Sequence, residues 1–222
     1  MARRPPRIWT VHSPLSNERR ENQETRRVHT RTEERTCSST GTHQRTESQI
    51  VLMKSMKWVT RLFVHVDRTA CPWLIKRFID PKAEFLFVPV EKIEETVKKE
   101  KAIPYDAPGV ELGHHGDKCS FDAIIDKYKV KDPAVLELAK IVRAADTDKM
   151  EMAAEAAGME AVMTGFGIVS KDDYETIAKT SPVYDALYTN CKLKLIREKY
   201  KAEIEKLERK DRREFLRKKL AE

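Results

Sequence analysis

The sequence predicts an α/β or α+β domain, with a small sheet in its first half covered by helices, a helical second half and a long C-terminal helix. Three observations support this prediction. Two runs rich in β-branched and aromatic residues, 58–67 and 84–90, read as strands. Apolar residues recur at helical spacing after each run. Beyond Ser120 helical patterns dominate, so the small sheet is expected to pack against helices.

The composition limits the class of protein. The chain has 222 residues, of which 40% are hydrophobic and 36% charged, enough for one sizeable core. No run approaches the roughly 18 apolar residues of a membrane span, and the N-terminus lacks the apolar core of a secretory signal. The four cysteines form no CxxC pair. We therefore expect a cytoplasmic protein without a membrane partner.

The charge divides the chain into three segments. Residues 1–52 hold ten Arg and six Glu, with no Lys or Asp. Residues 53–191 are mildly acidic, with 20 basic and 23 acidic side chains, and residues 192–222 hold 13 basic and seven acidic ones. The net charge of +7 therefore comes from the two ends. Nucleic-acid binding through these basic tails is one hypothesis for the function.

The first segment, 1–52, is too poor in apolar residues to bury a core, and we expect it to be disordered. Its composition differs so sharply from the rest that our hypothesis is a misassigned start, with translation beginning at Met53 or Met56. A basic arm that binds RNA or DNA is the alternative.

The remaining elements follow from local signals. The first strand signal ends in charge at Asp67 and Arg68, and Pro72 then fits the first turn of a helix that ends before Pro81. The tail 192–222, which lacks Gly and Pro, is expected to extend the last core helix as a charged helix. Further helices are predicted at 91–101, 121–128, 133–146, 153–166, 172–177 and from Val183 onward, and a short extended piece at 110–112.

The polar loop from Glu111 to Asp122 carries the densest set of reactive side chains. Carboxylate, imidazole and thiolate groups bind transition metals, so Glu111, His114 and Cys119 are candidate ligands of a divalent transition metal. A thiol at the start of a helix would also have a lowered pKa. The spacing is not diagnostic, and a structural interpretation, with Glu111 and Asp122 in caps or ion pairs, stays open.

Two further groups of residues are candidates. Asp146 and Asp148 follow a predicted helix, where short carboxylates complete metal sites or cap the next helix. Asp67, Arg68 and Cys71 lie where the first strand meets the first helix, the edge at which open α/β sheets present catalytic and ligand-binding groups. There Arg68 would suit an anion, whereas an ion pair of Asp67 with a neighbouring arginine is the structural alternative.

Several ordered blocks of sequence closely resemble the bacterial chromate resistance protein family of ChrB type. The resemblance covers residues from about 57 to 191 and leaves both tails uncovered. It implies a cytoplasmic protein associated with chromate resistance, and in longer members this domain follows a separate N-terminal domain linked to chromate-responsive regulation. The blocks are residues 58–61, 66–81, 83–89, 108–114, 119–125, 141–147 and 184–188.

The resemblance and the residues together lead to one main hypothesis and two rivals. The main one is a metal- or oxyanion-binding domain, with Glu111, His114, Cys119, Asp122 and Asp146 as the metal candidates and an oxyanion such as chromate as a partner. Whether the domain is an enzyme stays open, with Asp67, Arg68 and Cys71 as the catalytic candidates. The rivals are a non-enzymatic sensor that acts through a partner protein, and a nucleic-acid binder.

Overall fold

A three-stranded parallel sheet forms the centre of the fold in a computed structural model, which describes residues 55–222. Strands β1 (Lys57–Arg61), β2 (Glu84–Val88) and β3 (Ile103–Pro104) are arranged in the order β2-β1-β3. Parallel neighbours need crossover connections, and helices α1 (Val66–Phe78) and α2 (Ile93–Glu100) provide them. The prediction of a small sheet in the first half is confirmed, whereas the predictions for residues 1–52 lie outside the described residues.

The two crossover helices lie on opposite faces of the sheet. Side chains alternate along β1, so Trp58 points into the main core and Val59 to the other side. Trp58 packs in the same cluster as Leu74 of α1, while Val59 packs with Ile93 of α2. The chain therefore adds β2 on one side of β1 and then β3 on the other, which places a topological switch point between β1 and β3.

The second half is helical, as predicted. Asp132 caps the N-terminus of the helix that follows it, because its carboxylate accepts hydrogen bonds from the N–H groups of Ala134 and Val135. The range predicted at 133–146 is confirmed to the residue. The helices are α3 (Ser120–Tyr128), α4 (Pro133–Asp146), α5 (Ala156–Val169), α6 (Asp173–Lys199), α7 (Lys201–Glu205) and α8 (Arg209–Ala221).

The first strand and helix differ from the prediction. β1 ends at Arg61 and α1 begins at Val66, so Asp67 lies in the first turn of a helix and not at the end of a strand. The chain turns at Phe63, whose φ is 63°, and the carboxylate of Asp173 accepts hydrogen bonds from the N–H groups of Phe63 and Val64. The apolar run that resembled a strand is thus divided by a tertiary contact 110 residues away.

Two proline predictions were also wrong. Pro72 lies in the interior of α1 rather than in its first turn, and Pro182 lies inside a single helix, α6, where the sequence predicted a break between 177 and 183. Proline costs a helix one backbone hydrogen bond and strains its turn. Both helices are held against the core by buried residues on either side of the proline, among them Thr180 and Tyr184 in α6. Packing therefore outweighs the local penalty.

The tail is a hairpin rather than a straight extension of the core helix. α6 ends at Lys199, and α8 folds back against it, with the rings of Tyr200 and Phe215 5.9 Å apart. The amino group of Lys219 lies 4.7 Å from the centre of the Tyr200 ring. We call residues 192–222 the C-terminal hairpin. Across residues 55–222, no helix is both long and apolar enough to cross a membrane.

Candidate metal centre

The polar side chains of interest meet beyond the C-terminal ends of β1 and β3. In open sheets of parallel strands, ligands bind in the crevice at this kind of switch point. Asp67 comes from the first turn of α1 and Asp106 directly follows the β3 region. His114 comes from the long loop before α3, and Asp146 is the last residue of α4. Four separate elements thus bring these four side chains to one place.

His114 lies at the centre of three carboxylates. Its Nε2 atom is 3.2 Å from Oδ2 of Asp67, 3.2 Å from Oδ2 of Asp146 and 3.4 Å from Oδ1 of Asp106. One ring nitrogen carries at most one proton, so it can satisfy only one of these acceptors well. The three carboxylates are nearly buried, with 2%, 11% and 3% of the side chains exposed for Asp67, Asp146 and Asp106. The three acids therefore converge on a single imidazole, which can carry one positive charge at most.

The start of α3 orients two of the acids. The backbone N–H of Ser120 donates to Oδ2 of Asp67 over 3.3 Å, and its hydroxyl donates to Oδ1 of Asp106 over 3.2 Å. The backbone N–H of Asp67 in turn donates to Oδ1 of Asp146 over 3.3 Å. Asp146 is thus held through Oδ1 while its Oδ2 faces His114. In Asp67 and Asp106 the oxygen that accepts from Ser120 is also the one that lies near His114. Such outer contacts are typical of ligand carboxylates.

Arg68 is the fixed positive charge of the cluster. Its Nη1 group donates to Oδ2 of Asp106 over 2.5 Å, and its Nη2 group donates to the carbonyl of Phe63 over 3.1 Å. The Arg61 guanidinium reaches the same carboxylate at a looser 3.4 Å. Burial opposes ionisation of Asp106, but the charge and hydrogen bond of Arg68 hold its pKa below the ordinary value. Asp106 is therefore ionised near neutral pH.

The other titratable groups show the effect of crowded negative charge. The hydrogen bond to Asp67, with the charges of all three acids, raises the pKa of His114 to about 9 against the opposing effect of burial. Burial and the neighbouring Asp67 carboxylate raise the pKa of Asp146 to about 7. Both groups retain protons in the folded state more strongly than in an unfolded chain. A divalent cation would supply the charge that these protons supply.

Cys119 adjoins the same cluster. Its Sγ atom and one carboxylate oxygen each of Asp67 and Asp146 lie within 4.8 Å of one another, as do ligand atoms of Asp67, Asp106 and His114. Cys119 is the N-cap of α3, as expected, but its thiol is not acidic. Burial and the charges of Asp67 and Asp122 raise its pKa, because desolvation of the thiolate outweighs the helix terminus.

Asp122 supports Cys119 from the opposite side. Its Oδ2 atom accepts a hydrogen bond from the Cys119 backbone N–H over 3.2 Å and lies 3.6 Å from the thiol sulfur. Arg143 holds the same carboxylate with two hydrogen bonds of 2.8 and 2.9 Å. Asp122, a metal candidate in the sequence, is therefore placed as a partner of Arg143 and a cap for α3.

The remaining candidate residues lie apart from the cluster or are already paired with another side chain. Glu111 points to solvent with 72% of its side chain exposed and pairs with Lys127 over 2.5 Å. Cys71 is fully buried, and burial raises the pKa of its thiol well above the ordinary value, which favours the protonated thiol of a core residue. Arg68, the candidate for anion binding, is already bound to Asp106.

Asp106 is the member of the cluster that sequence reasoning missed. The short extended piece was predicted at 110–112, whereas β3 lies at Ile103–Pro104 and only Leu112 forms an isolated bridge, to Tyr105. A strand assigned at Ile103 would have placed Asp106 just beyond its C-terminal end. A position just beyond a predicted strand is the signal by which the sequence analysis chose Asp67, and it would have found Asp106 as well.

The cluster predicts a pH dependence for the metal-free protein. Because the folded-state pKa values of His114 and Asp146 lie above their unfolded values, both contribute stability at low pH that is lost as pH rises. Deprotonation of Asp146 should account for the loss of stability up to about pH 7, and deprotonation of His114 for the loss up to about pH 9. His114 is 43% exposed, so solvent screening should limit its contribution to the free energy of unfolding to about 1 kcal/mol.

Urea unfolding in a chelating buffer between pH 5 and 9 measures this effect. We expect the free energy of unfolding to fall across that range in the unaltered protein. In His114→Gln the fall in the free energy of unfolding between pH 7 and 9 should disappear. His115→Gln serves as the control because His115 lies outside the cluster. Stability that rises with pH over this window would contradict the assignment.

The fold and the cluster together define a class: an α+β domain with a carboxylate and histidine cluster at the switch point of a small parallel sheet. The family described as ChrB, C-terminal domain, matches residues 58–191. Protein ChrB of Cupriavidus metallidurans is 34% identical over 137 residues, which are 60% of this chain and 40% of that protein. The chain belongs to the ChrB family of bacterial chromate resistance proteins, as its sequence blocks indicated.

The match has a limited extent. The chain spans less than half the length of the Cupriavidus protein. No solved structure matches the chain.

Proposed function

We propose that this domain binds a divalent transition metal ion at the switch point of its sheet, as part of the chromate response or detoxification of the cell. The ligands would be Asp67, Asp106, His114 and Asp146, with the Cys119 thiol adjoining them. The single observation that supports the proposal most is the convergence of three nearly buried carboxylates on one imidazole nitrogen. Buried charges of one sign are costly unless a counter-charge accompanies them.

The charge of the cluster favours a cation over an oxyanion. Three acids face His114, whose pKa they raise, together with Arg68 and the partly exposed Arg61. Arg68 uses two of its donors on Asp106 and a backbone carbonyl. A chromate dianion placed among these carboxylates would meet strong repulsion. In the proposal chromate therefore does not bind the metal-free cluster directly, and the Arg68 oxyanion hypothesis gives way to the metal hypothesis.

The donor set restricts the class of metal. Carboxylate oxygens suit Mg²⁺ and Mn²⁺, whereas an imidazole adds affinity for Fe²⁺ and Zn²⁺. Mn²⁺, Fe²⁺ and Zn²⁺ are accordingly the ions that fit three acids and one histidine. A free thiol next to the cluster also suits a reducing compartment such as the cytoplasm, where we place the protein.

Metal binding by the purified full-length chain tests the proposal. Equilibrium dialysis against Mn²⁺ and Zn²⁺ should give one ion per chain. Asp146→Asn should weaken binding at least about tenfold, because it removes a ligand while keeping the shape of a side chain that is already half protonated near pH 7. Glu111→Gln is the matched control, since it neutralises an exposed acid outside the cluster.

Two results would contradict the proposal. One is an absence of stoichiometric binding for both ions. The other is binding that Glu111→Gln weakens as much as Asp146→Asn does, because the ion would then lie elsewhere.

A non-enzymatic sensor that passes its signal to a partner is the second candidate function. The observation that favours it is the C-terminal hairpin, which lies outside the residues matched by the family and carries a charged groove. Deleting residues 192–222 should then abolish partner binding while metal binding is retained.

A further inference from the structure

The C-terminal hairpin separates its arginines from its lysines. Residues 192–222 contain five arginines and eight lysines. All five arginines line one groove of about 620 Å³ between α6, α7 and α8, and none of the eight lysines does. No acidic side chain lines it either. The groove-lining arginines are Arg197, Arg209, Arg212, Arg213 and Arg217.

These arginines have no carboxylate partners within residues 55–222, although neighbouring lysines do. Lys210 pairs with Glu208 over 3.1 Å and Lys219 with Glu222 over 2.8 Å. Of the five arginines, Arg212 donates to the carbonyl of Leu207 over 3.0 Å. A guanidinium presents a planar fork that matches a carboxylate with two parallel hydrogen bonds, which an ammonium cannot do. The groove is thus lined by the cation best suited to recognise carboxylates.

The floor of the groove is aliphatic. Leu193, Ile204, Leu216 and Leu220 line it, and each is only partly buried. α8 contains no fully buried residue, because the hairpin closes mainly through Tyr200, Phe215 and Lys219. Apolar surface rimmed by charge is typical of protein interaction sites. The floor therefore still has apolar area to bury.

We propose that this groove binds an acidic amphipathic helix of a partner protein. The aliphatic side chains of that helix would cover the floor, and its flanking Asp or Glu side chains would pair with the arginines. α8 is about 20 Å long at 1.5 Å per residue, enough to contact three to four turns of such a helix. The proposal does not depend on the metal centre, which is formed by other elements.

The aliphatic floor also favours a protein over a nucleic acid as the ligand of the groove. Phosphates would pair with the arginines but leave the four aliphatic side chains exposed, and no aromatic ring lines the groove to stack on a base. Lysines serve phosphate contacts as well as arginines do, so a nucleic-acid surface would not require their separation. The combination of aliphatic floor and arginine rim fits an acidic protein helix better.

A designed helical peptide tests the proposal on the full-length chain. The probe is an 18-residue amphipathic peptide with leucines on one face and glutamates on the flanks, followed by fluorescence anisotropy. We expect micromolar binding that weakens with salt. Arg212→Glu with Arg217→Glu should weaken it at least about tenfold, since two charge pairs are reversed. Lys210→Glu with Lys218→Glu makes the same charge change outside the groove and should alter binding less than about threefold.

Circular dichroism and urea unfolding confirm that each variant is folded. Three results would overturn the proposal. They are no binding of the probe, equal binding of a peptide with lysines in place of the glutamates, and tighter, arginine-dependent binding of a 20-base-pair DNA duplex. Loss of metal binding in Asp146→Asn with peptide binding unchanged would support the independence of the two sites.

Discussion

Replacing Arg68 by Met should lower the free energy of unfolding of the metal-free protein by about 3–5 kcal/mol at pH 7. Asp106 is only 3% exposed, and Arg68 is its closest counter-charge at 2.5 Å. Methionine keeps much of the side-chain length but leaves the carboxylate buried beside Asp67 and Asp146. Arg61 and His114 both lie 3.4 Å from this carboxylate and compensate its buried charge less well than Arg68 does, which is the physical reason for the size of the effect.

Urea denaturation in a chelating buffer measures this loss, and two variants make the result specific. Arg61→Met should cost less than about 1 kcal/mol, because Arg61 is 45% exposed and lies 3.4 Å from the same carboxylate. Adding Asp106→Asn to Arg68→Met should recover much of the stability, since the unpaired charge is removed. An equal loss for the two arginine variants would show that Arg68 does not hold Asp106 as described.

The Arg68→Met effect should also depend on pH. Arg68 lowers the pKa of Asp106 in the folded protein, so this pair contributes stability above the unfolded pKa that is lost as pH falls through the folded value. The difference between Arg68→Met and the unaltered protein should therefore be large near pH 7 and shrink as the pH falls below about 4, the ordinary pKa of an aspartate. A difference that stays constant with pH would indicate lost packing instead of lost charge.

A saturating divalent metal ion should raise the free energy of unfolding of the unaltered chain by about 4 kcal/mol at 1,000 times its dissociation constant. In the proposed function the ion would bind a cluster that only the folded chain assembles, so its binding energy would become folding energy. The gain should be larger at pH 8 than at pH 6, because His114 and Asp146 must release protons to the solvent when the ion replaces them.

His114→Ala tests whether the gain arises at the cluster. The stabilisation by Mn²⁺ or Zn²⁺ should be largely lost in this variant and retained in His115→Ala. His115 is the neighbouring histidine, and its Nε2 bonds to the carbonyl of Glu111 rather than to an acid of the cluster. Thermal unfolding with and without the ion gives the measurement. Equal stabilisation of both variants would place the ion outside the cluster.

The partial success of the sequence prediction has a physical explanation. Helix α4 was predicted to the residue because Asp132, Pro133 and the apolar spacing are local signals that its tertiary contacts reinforce. α6 was divided wrongly because a local signal, Pro182, opposed the packing of the buried residues around it. β1 was made too long because the turn at Phe63 depends on Asp173, far along the chain.

The candidate site residues also include some that the sequence chose correctly for the cluster and one that it could not exclude. Residue type singled out His114 and Cys119, and position beside a strand or helix singled out Asp67 and Asp146. The structure brings all four together. Glu111 has the right chemistry but points to solvent, where Lys127 pairs with it. Its direction is set by the turn of the loop and not by its spacing from His114, so the sequence alone could not separate it from the others.

The sequence by itself determined the class of fold, the helical second half, the family and the polar loop from Glu111 to Asp122. It could do so because propensity, periodicity and block order are properties of neighbouring residues. Only the tertiary structure decided that Asp106 joins the cluster, that Arg68 is bound to it and that the arginines of the tail share one groove. These facts depend on distances between elements far apart in the chain. Such distances follow from how the sheet and helices pack.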